Sequence, residues 1–132
     1  MKSLQIKYND FKKKNLSKPG IGELYERQIR YIYEKNSWFV KPYGILKGRS
    51  DLGRDLLCYK KKQIHIVQAK CWSKKKTIFE KHIMQLAGTI LHYMNKYKKK
   101  PKGVFITTAK LSPTAKDFVK SLNIKHSYIK LD

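Results

Sequence analysis

A chain of 132 residues, 41% of them hydrophobic, is long enough to bury one modest core and too short for two domains. Its 31 Lys and Arg against 9 Asp and Glu give a formal net charge of +22. These positive charges repel one another, and a polyanionic partner would reduce that repulsion. This charge favours a nucleic acid as partner. Membrane binding is not expected, because no stretch approaches 18 apolar residues and the basic runs do not share one amphipathic face.

Cysteine usage and the N-terminus predict an intracellular, cytoplasmic protein. Cys58 and Cys71 lie on or beside predicted strands without the spacing of a metal or redox motif, so we expect reduced, buried thiols. The N-terminus has a positive start but no apolar segment or cleavage site behind it, which predicts no secretory signal. The four histidines are scattered without zinc-ligand spacing.

Residues 1–17 are rich in lysine with little periodicity and are predicted to form a basic N-terminal arm, followed by one domain at residues 18–132. Behind Pro19-Gly20 the apolar residues recur at helical spacing: Ile21, Leu24, Tyr25, Ile29 and Ile32. This pattern predicts an amphipathic helix that ends near Asn36. Residues 38–43 form an aromatic strand stopped by Pro42, and residues 44–53 form a glycine-containing loop.

A β-hairpin is predicted next, with strands at residues 55–59 and 64–70 and a lysine turn between them. Antiparallel pairing about a turn near position 61 sets Asp55 opposite position 67 or 68. Alternation along the second strand puts Ile64, Ile66, Gln68 and Lys70 on one face. That face changes from apolar to polar at its C-terminal end. Such a change is typical of a strand that runs into a polar loop, and also of the reaction centre of a metal-dependent nuclease.

The rest of the chain completes an α/β domain. A helix is predicted at residues 77–97, with Ile78, Phe79, Ile83, Leu86, Ala87, Ile90, Leu91 and Met94 facing inward. A buried strand follows at residues 104–107, then a helix capped by Ser112-Pro113 and ending near Asn123, and a last strand at residues 124–131. The order αβββαβαβ predicts a single mixed sheet, with a hairpin joined through a βαβ crossover to a parallel portion and helices on both faces.

Several pieces of the chain occur in a characteristic order: Tyr25-Glu26 on the first helix, the segment 51–55 ending in Asp55, Gln68-Ala69-Lys70, Gln85-Leu86, and a strand ending in Thr107-Thr108. This series resembles the PD-(D/E)XK nuclease superfamily, and most closely its Mrr-like restriction endonuclease branch, over about residues 20–131. The resemblance implies a restriction-endonuclease-like fold and a DNA endonuclease that uses Mg²⁺ or Mn²⁺ to hydrolyse phosphodiester bonds.

The resemblance also implies roles for individual residues. Metal ligands would come from the Asp55 carboxylate, the Gln68 side-chain oxygen, the Ala69 carbonyl and Glu26. Lys70 would orient the attacking water and stabilise developing charge, so that Asp55, Gln68, Lys70 and Glu26 form the expected catalytic set. Gln68 stands where the superfamily has an acidic residue, which leaves fewer carboxylates and predicts weak metal binding.

Each candidate also has a structural explanation. Glu26 would pair with Arg30 on the helix surface, with Glu23 as the alternative if the helix register differs. Asp51 would act as a turn residue, and His65 would pack in the core rather than act in catalysis. For Gln85, the sequence favours neither a helix-surface position nor a contact to the site.

DNA contacts are expected from basic residues that carry no base-reading pattern. Arg54 replaces an apolar residue of the family pattern, which indicates either a different loop backbone or a contact to phosphate. The lysine runs would contact the DNA backbone or form a solvated surface, and the expected contacts are Lys74, Lys75, Lys76, Lys98, Lys99 and Lys100.

Two alternative functions remain open from the sequence. One is a structure-selective nuclease resembling archaeal Holliday junction resolvases, which usually keep Glu at the position of Gln68. The other is a non-catalytic nucleic-acid-binding protein on the same fold. A homodimer is expected where both DNA strands are cut.

Overall fold

The computed structural model describes residues 18–43 and 53–132. The predicted N-terminal arm at 1–17, residues 44–52 with Asp51, and the side chain of Arg54 lie outside the described parts of the chain. Of the described helices, none is long and apolar enough to cross a membrane.

Three helices and seven strands follow one another in the described residues. The helices are α1 (Lys18–Lys35), α2 (Glu80–Tyr97) and α3 (Pro113–Ser121). The strands are β1 (Phe39–Pro42), β2 (Gly53–Lys60), β3 (Gln63–Lys70), β4 (Thr77–Ile78), β5 (Lys102–Thr107), β6 (Lys110–Leu111) and β7 (Lys125–Tyr128). Apart from the two-residue strands β4 and β6, this is the predicted order.

The main sheet has five strands in the order β1-β2-β3-β5-β7. The strands β1, β2 and β3 are antiparallel neighbours, because a tight turn with Lys61 at φ 55° reverses the chain between β2 and β3. The strands β3, β5 and β7 are parallel, because α2 and α3 carry the chain back across the sheet between them. The predicted mixed sheet is confirmed.

Helices cover both faces of this sheet. On one face Tyr25 and Ile29 of α1 pack with Leu56, Val67 and Val104. The opposite face buries residues of α2 and α3 against alternate positions of the same strands, among them Leu57, Ile66, Ile83, Leu86, Phe105 and Val119. We call these the α1 face and the α2 face. Because side chains alternate along a strand, each residue of β2 and β3 belongs to one face only.

The start of α2 differs from the prediction. Residues 77 and 78 form β4 rather than helix, and they pair in parallel with β6 through Thr77↔Lys110 and Ile78↔Leu111. The helix begins at Glu80, and its buried residues are His82, Ile83, Leu86, Thr89 and Tyr93. The inward positions predicted for Phe79 and Leu91 are wrong, since their side chains are 49% and 59% exposed.

The start of α3 confirms the predicted cap. The Ser112 hydroxyl accepts a hydrogen bond from the Ala115 N–H at 3.1 Å, and Pro113 occupies the first helical turn. The backbone N–H of Ser112 donates to the Ile78 carbonyl at 2.8 Å, so the cap residue also links α3 to β4.

Candidate active site

Asp55 and Gln68 stand directly opposite each other in the hairpin. The register pairs Asp55 with Gln68 and Gly53 with Lys70, within the range that the turn predicts. Directly opposed residues share a face, and Lys70 lies two positions beyond Gln68, so all three side chains belong to the α2 face. Opposed Cβ atoms lie about 5 Å apart and diagonal neighbours about 7–8 Å, which brings the predicted polar groups into one cluster.

This cluster lies at the carboxyl ends of two parallel strands. Lys70 at the end of β3 is the register partner of Thr107 at the end of β5. The Lys70 carbonyl accepts from the Thr108 N–H at 3.2 Å, and the buried Thr107 hydroxyl accepts from the Ala109 N–H at 3.1 Å. The ends of β3 and β5 are therefore fixed against each other. Open α/β sheets commonly place their binding sites at this end.

The side-chain oxygen of Gln68 is buried. Its side chain is 5% exposed, and Oε1 finds no hydrogen-bond donor among the described residues. Leaving a buried acceptor unsatisfied costs about 1–3 kcal/mol, so such an atom needs a physical explanation. A bound cation would satisfy it, since amide oxygens are hard donors suited to Mg²⁺.

A third oxygen, the Ala69 carbonyl, lies on the side of β3 that faces β2. Successive carbonyls along a strand point to opposite sides, and the Lys70 carbonyl is directed to β5. The Ala69 carbonyl is therefore directed to β2, the strand that carries Asp55. One carboxylate and two neutral oxygens fit Mg²⁺ or Mn²⁺, ions that complete their shell with water and substrate phosphate.

The donor set is nevertheless poor in charge. No group of three or more His, Cys, Asp or Glu side chains within residues 18–43 and 53–132 is arranged to hold a metal ion. Any cation at this site would depend on neutral oxygens as well as on Asp55.

Lys70 is fully buried and is positioned by Trp72. Its Nζ lies 5.4 Å from the centroid of the Trp72 ring, in a cation–π contact. The Trp72 N–H donates to the Thr108 hydroxyl at 2.8 Å, and that hydroxyl donates to the Trp72 carbonyl at 2.6 Å. The end of β5 thus fixes the residue that contacts the Lys70 ammonium. Sequence reasoning misses Trp72, although strand alternation from Gln68 and Lys70 would have indicated it.

Tyr43 is a second neighbour that the sequence does not predict. Its N–H donates to the Asp55 carbonyl at 3.0 Å, and its ring packs edge-on against Tyr93 with centroids 6.0 Å apart. Burial raises the pKa of Tyr43, with smaller contributions from Tyr97, Tyr93 and the negative charge of Asp55. The Tyr43 phenol is therefore close enough to sense the Asp55 carboxylate.

Glu26 approaches from the other side of the sheet. It is half-buried on α1, which covers the face opposite to Asp55, Gln68 and Lys70. The neighbouring Tyr25 hydroxyl donates to the Ile129 carbonyl at 2.6 Å, and the Ile129 N–H donates to the Thr107 carbonyl at 3.1 Å. Glu26 therefore lies near the same end of the sheet as Lys70, but on the opposite face. To act at the site, its carboxylate would have to reach past the ends of the strands to the α2 face.

The two predicted lysine runs lie at opposite ends of the sheet. Lys74, Lys75 and Lys76 are exposed directly after β3, and the Lys76 Nζ lies 5.3 Å from the Trp72 ring centroid. The exposed run 98–100 precedes β5, whose first residue pairs with His65 near the start of β3. From His65 to Lys70 a strand rises roughly 17 Å. Only the run at 74–76 adjoins the cluster.

The remaining candidates have structural surroundings. His65 accepts or donates a 2.9 Å hydrogen bond with the Tyr33 hydroxyl and packs on Trp38 with ring centroids 4.4 Å apart, in agreement with a packing role. Glu23 is exposed, and Arg30 forms a 3.6 Å ion pair with Glu34. Gln85 is half-buried on α2, and its carbonyl accepts from the Thr89 hydroxyl.

Comparison with known proteins shows the family of the chain. The sequence profile of the Mrr_cat family, described as a restriction endonuclease, matches residues 14–131. The chain belongs to this family. The predicted Mrr-like, PD-(D/E)XK relationship is confirmed, and the domain is a nuclease domain of the restriction endonuclease type. No curated protein sequence matches the chain.

Solved structures share the fold at low sequence identity. Apo EndoMS is 14% identical with a TM-score of 0.58, over 80% of this chain and 46% of its own. A repair endonuclease from Pyrococcus abyssi is 14% identical with a TM-score of 0.56, over 80% and 46%. The MspJI restriction endonuclease in complex with a 27-mer oligonucleotide is 17% identical with a TM-score of 0.51, over 96% and 28%. The chain thus spans less than half of the length of each of these, and the likeness shows the restriction-endonuclease-like fold.

Proposed function

We propose that this domain is a divalent-metal-dependent DNA endonuclease that hydrolyses phosphodiester bonds with little intrinsic sequence readout. The observation that carries the proposal is the buried Gln68 Oε1, which has no hydrogen-bond donor in the part of the chain that the structure describes and lies directly opposite Asp55 in the hairpin. A site that only stabilised the fold would pair that oxygen or replace it with an apolar group, because an unpaired buried acceptor is unfavourable.

The cation would be held by the Asp55 carboxylate, Gln68 Oε1 and the Ala69 carbonyl, with Glu26 as a further ligand around the end of the sheet. When bound, Mg²⁺ or Mn²⁺ supplies positive charge to the phosphoryl oxygens and promotes ionisation of a water molecule. Asp55 is the one carboxylate on the α2 face of β2 and β3.

Lys70 provides the second functional group of the site, an ammonium. Its ammonium lies one diagonal position from Asp55 and is fixed by the Trp72 ring. A donor positioned in this way orients the attacking water toward the phosphorus and stabilises negative charge that develops on the phosphate. Because the Lys70 side chain is buried, its interaction with an incoming phosphate is less screened than that of a surface lysine.

DNA as the substrate is supported by charge and by fold. The net charge of +22 attracts a polyanion, and Lys74, Lys75 and Lys76 lie beside the cluster to contact the backbone. MspJI, which shares the fold, is seen with a 27-mer oligonucleotide. We further propose that two copies act together when both strands are cut, since one site hydrolyses one bond at a time.

Cleavage assays on several substrates test the proposal. The protein is incubated with Mg²⁺, Mn²⁺ or a chelator and given supercoiled plasmid, linear duplex, branched DNA, single-stranded DNA and RNA. We expect metal-dependent nicking of DNA and no cleavage with chelator. Selective cutting of branched DNA would favour the resolvase-like alternative. Tight binding to DNA with no cleavage in either metal would contradict the proposal and support a non-catalytic binding protein.

A further inference from the structure

A groove with aromatic and basic walls lies beside the proposed site, and the catalytic set does not use it. It has a volume of about 430 Å³, within the usual range of ligand sites of roughly 300–1,000 Å³. It runs between the segment after β3 and the start of α2. The residues on which the argument depends are Trp72, Lys75, Lys76, Phe79, Lys81 and His82.

The backbone of the aromatic residues of this groove is held by hydrogen bonds, and two of their rings pack together. Phe79 is 49% exposed, and its N–H donates to Nδ1 of His82 at 3.1 Å. Trp72 is fixed by its two hydrogen bonds with Thr108, and His82 packs edge-on against Trp72 with ring centroids 4.6 Å apart. A large apolar ring that is half exposed to solvent is suited to stacking against another flat group.

The charge of the groove selects an anion. Lys75, Lys76 and Lys81 are exposed around the rings, and none of the residues that line the groove is acidic. Aromatic faces for bases together with lysines for phosphates are the two components of single-stranded nucleic-acid sites.

The groove is continuous with the proposed site through one side chain. The Trp72 ring contacts both the Lys70 Nζ, at 5.4 Å from its centroid, and the Lys76 Nζ, at 5.3 Å. A phosphate at Lys70 and a nucleotide in the groove would therefore belong to the same strand, close to each other along it. This step depends on the proposed function, which places the scissile phosphate at Lys70.

We propose that this groove binds an unpaired nucleotide next to the scissile phosphate. A base inside a continuous duplex is covered on both faces by its neighbours and cannot lie on Phe79 or Trp72. A base in a single-stranded flank or a bulge can do so. The preferred substrate is therefore DNA with an unpaired nucleotide at the cleavage position, rather than a fully paired duplex.

Binding in the presence of chelator tests this inference separately from catalysis. Fluorescence anisotropy compares a fully paired duplex with duplexes of equal length that carry a bulged nucleotide or a short single-stranded flank. We expect roughly 5- to 100-fold tighter binding to the unpaired forms, the range that stacking of one base supplies. With 2-aminopurine as the unpaired base, stacking in the groove quenches its fluorescence.

Variants at Phe79 provide the decisive comparison. Phe79→Ala should remove the preference and the quenching, and Phe79→Tyr should restore both. Phe39→Ala is the matched control, because Phe39 is an aromatic residue 66% exposed on β1, at the end of the sheet away from Lys70. Far-ultraviolet circular dichroism and thermal unfolding check that each variant is folded.

Equal affinity of the wild-type protein for paired and unpaired DNA would overturn the inference, as would a preference that Phe79→Ala leaves intact. Metal-dependent cleavage together with either result would leave the proposed function standing. A preference that depends on Phe79 in a protein without any cleavage would instead support the groove and contradict the endonuclease proposal.

Discussion

Gln68 places an amide where the PD-(D/E)XK superfamily has an acidic residue. Its buried Oε1 has no donor among the described residues, and it faces the single carboxylate of the hairpin, Asp55. A neutral oxygen coordinates Mg²⁺ but adds no charge to the site. The cation would therefore bind more weakly than at a site with two carboxylates on the strands.

Substitution of Gln68 tests its role as a ligand. Gln68→Glu should reduce the Mn²⁺ concentration for half-maximal cleavage by about 10-fold, because charge-assisted contacts are about twice as strong as neutral ones. Gln68→Met, which keeps the length of the side chain, should abolish cleavage at ordinary metal concentrations without lowering the melting temperature measured in chelator. Full activity of Gln68→Met would show that Oε1 is not a ligand.

His65 makes stability depend on pH. Burial lowers its pKa below the ordinary 6.5, with smaller contributions from the positive charges of Lys125 and Lys102. The unfolded chain therefore binds the proton more readily than the folded protein. The stabilisation is present above about pH 6.5 and is lost as the pH falls through this value toward the folded pKa.

We expect the free energy of unfolding to fall between about pH 8 and pH 5, and to fall less in His65→Phe. The Phe ring preserves packing on Trp38 and cannot titrate. His92→Phe is the control, because it removes an exposed histidine of α2. Denaturant titration across this range gives the comparison, and identical pH profiles for the two variants would contradict the assignment.

At the scale of elements, the sequence predicts the hairpin well because three independent signals agree. The lysine turn, the alternation along residues 64–70 and the polar end of the strand agree on a hairpin with Asp55 opposite position 67 or 68, and the structure pairs Asp55 with Gln68. The first helix and the Ser112 cap are predicted for similar reasons, since their signals are local.

The start of α2 could not be predicted, because β4 exists only through its pairing with β6, more than 30 residues later. Treating Ile78 and Phe79 as helical also shifts the expected inner face, which gives Leu91 a buried position and misses His82 and Tyr93. The position of Tyr43 beside the site depends on tertiary contacts that periodicity does not encode, whereas Trp72 continues the alternation of Gln68 and Lys70.

The two lysine runs should differ in their effect on DNA binding. The slope of log affinity against log salt is negative. Replacing Lys74, Lys75 and Lys76 by Ala should reduce the magnitude of this slope by roughly 2–3, about one for each phosphate that is no longer neutralised. The same change at Lys98, Lys99 and Lys100 removes equal charge at the far end of the sheet and should lower it less. Anisotropy titrations between 50 and 200 mM salt measure both.

Equal slopes for the two triple variants would show that net charge alone governs binding and that neither run has a local role. A larger effect from the run at 98–100 would place the DNA across the other end of the sheet and contradict the proposed orientation.

At the scale of the whole molecule, charge and fold serve the site in different ways. In the proposed function, the net charge of +22 would bring DNA to the surface and make binding sensitive to salt, without reading sequence. The mixed sheet with helices on both faces holds Asp55, Gln68 and Lys70 together at one end. Hydrogen bonds from Tyr25 and Gln28 of α1 to the carbonyls of Ile129 and Lys130 close the fold around that end.

The separation of binding from chemistry tests the central claim most directly. Asp55→Ala removes the carboxylate from the hairpin and leaves every lysine and arginine in place. Plasmid nicking with Mg²⁺ or Mn²⁺ and DNA affinity in chelator are measured on the same preparation of this variant and of the wild-type protein. We predict that cleavage is lost and that affinity stays within about threefold, because phosphate contacts supply most of the binding. Cleavage by Asp55→Ala at the wild-type rate would contradict the assignment of this site.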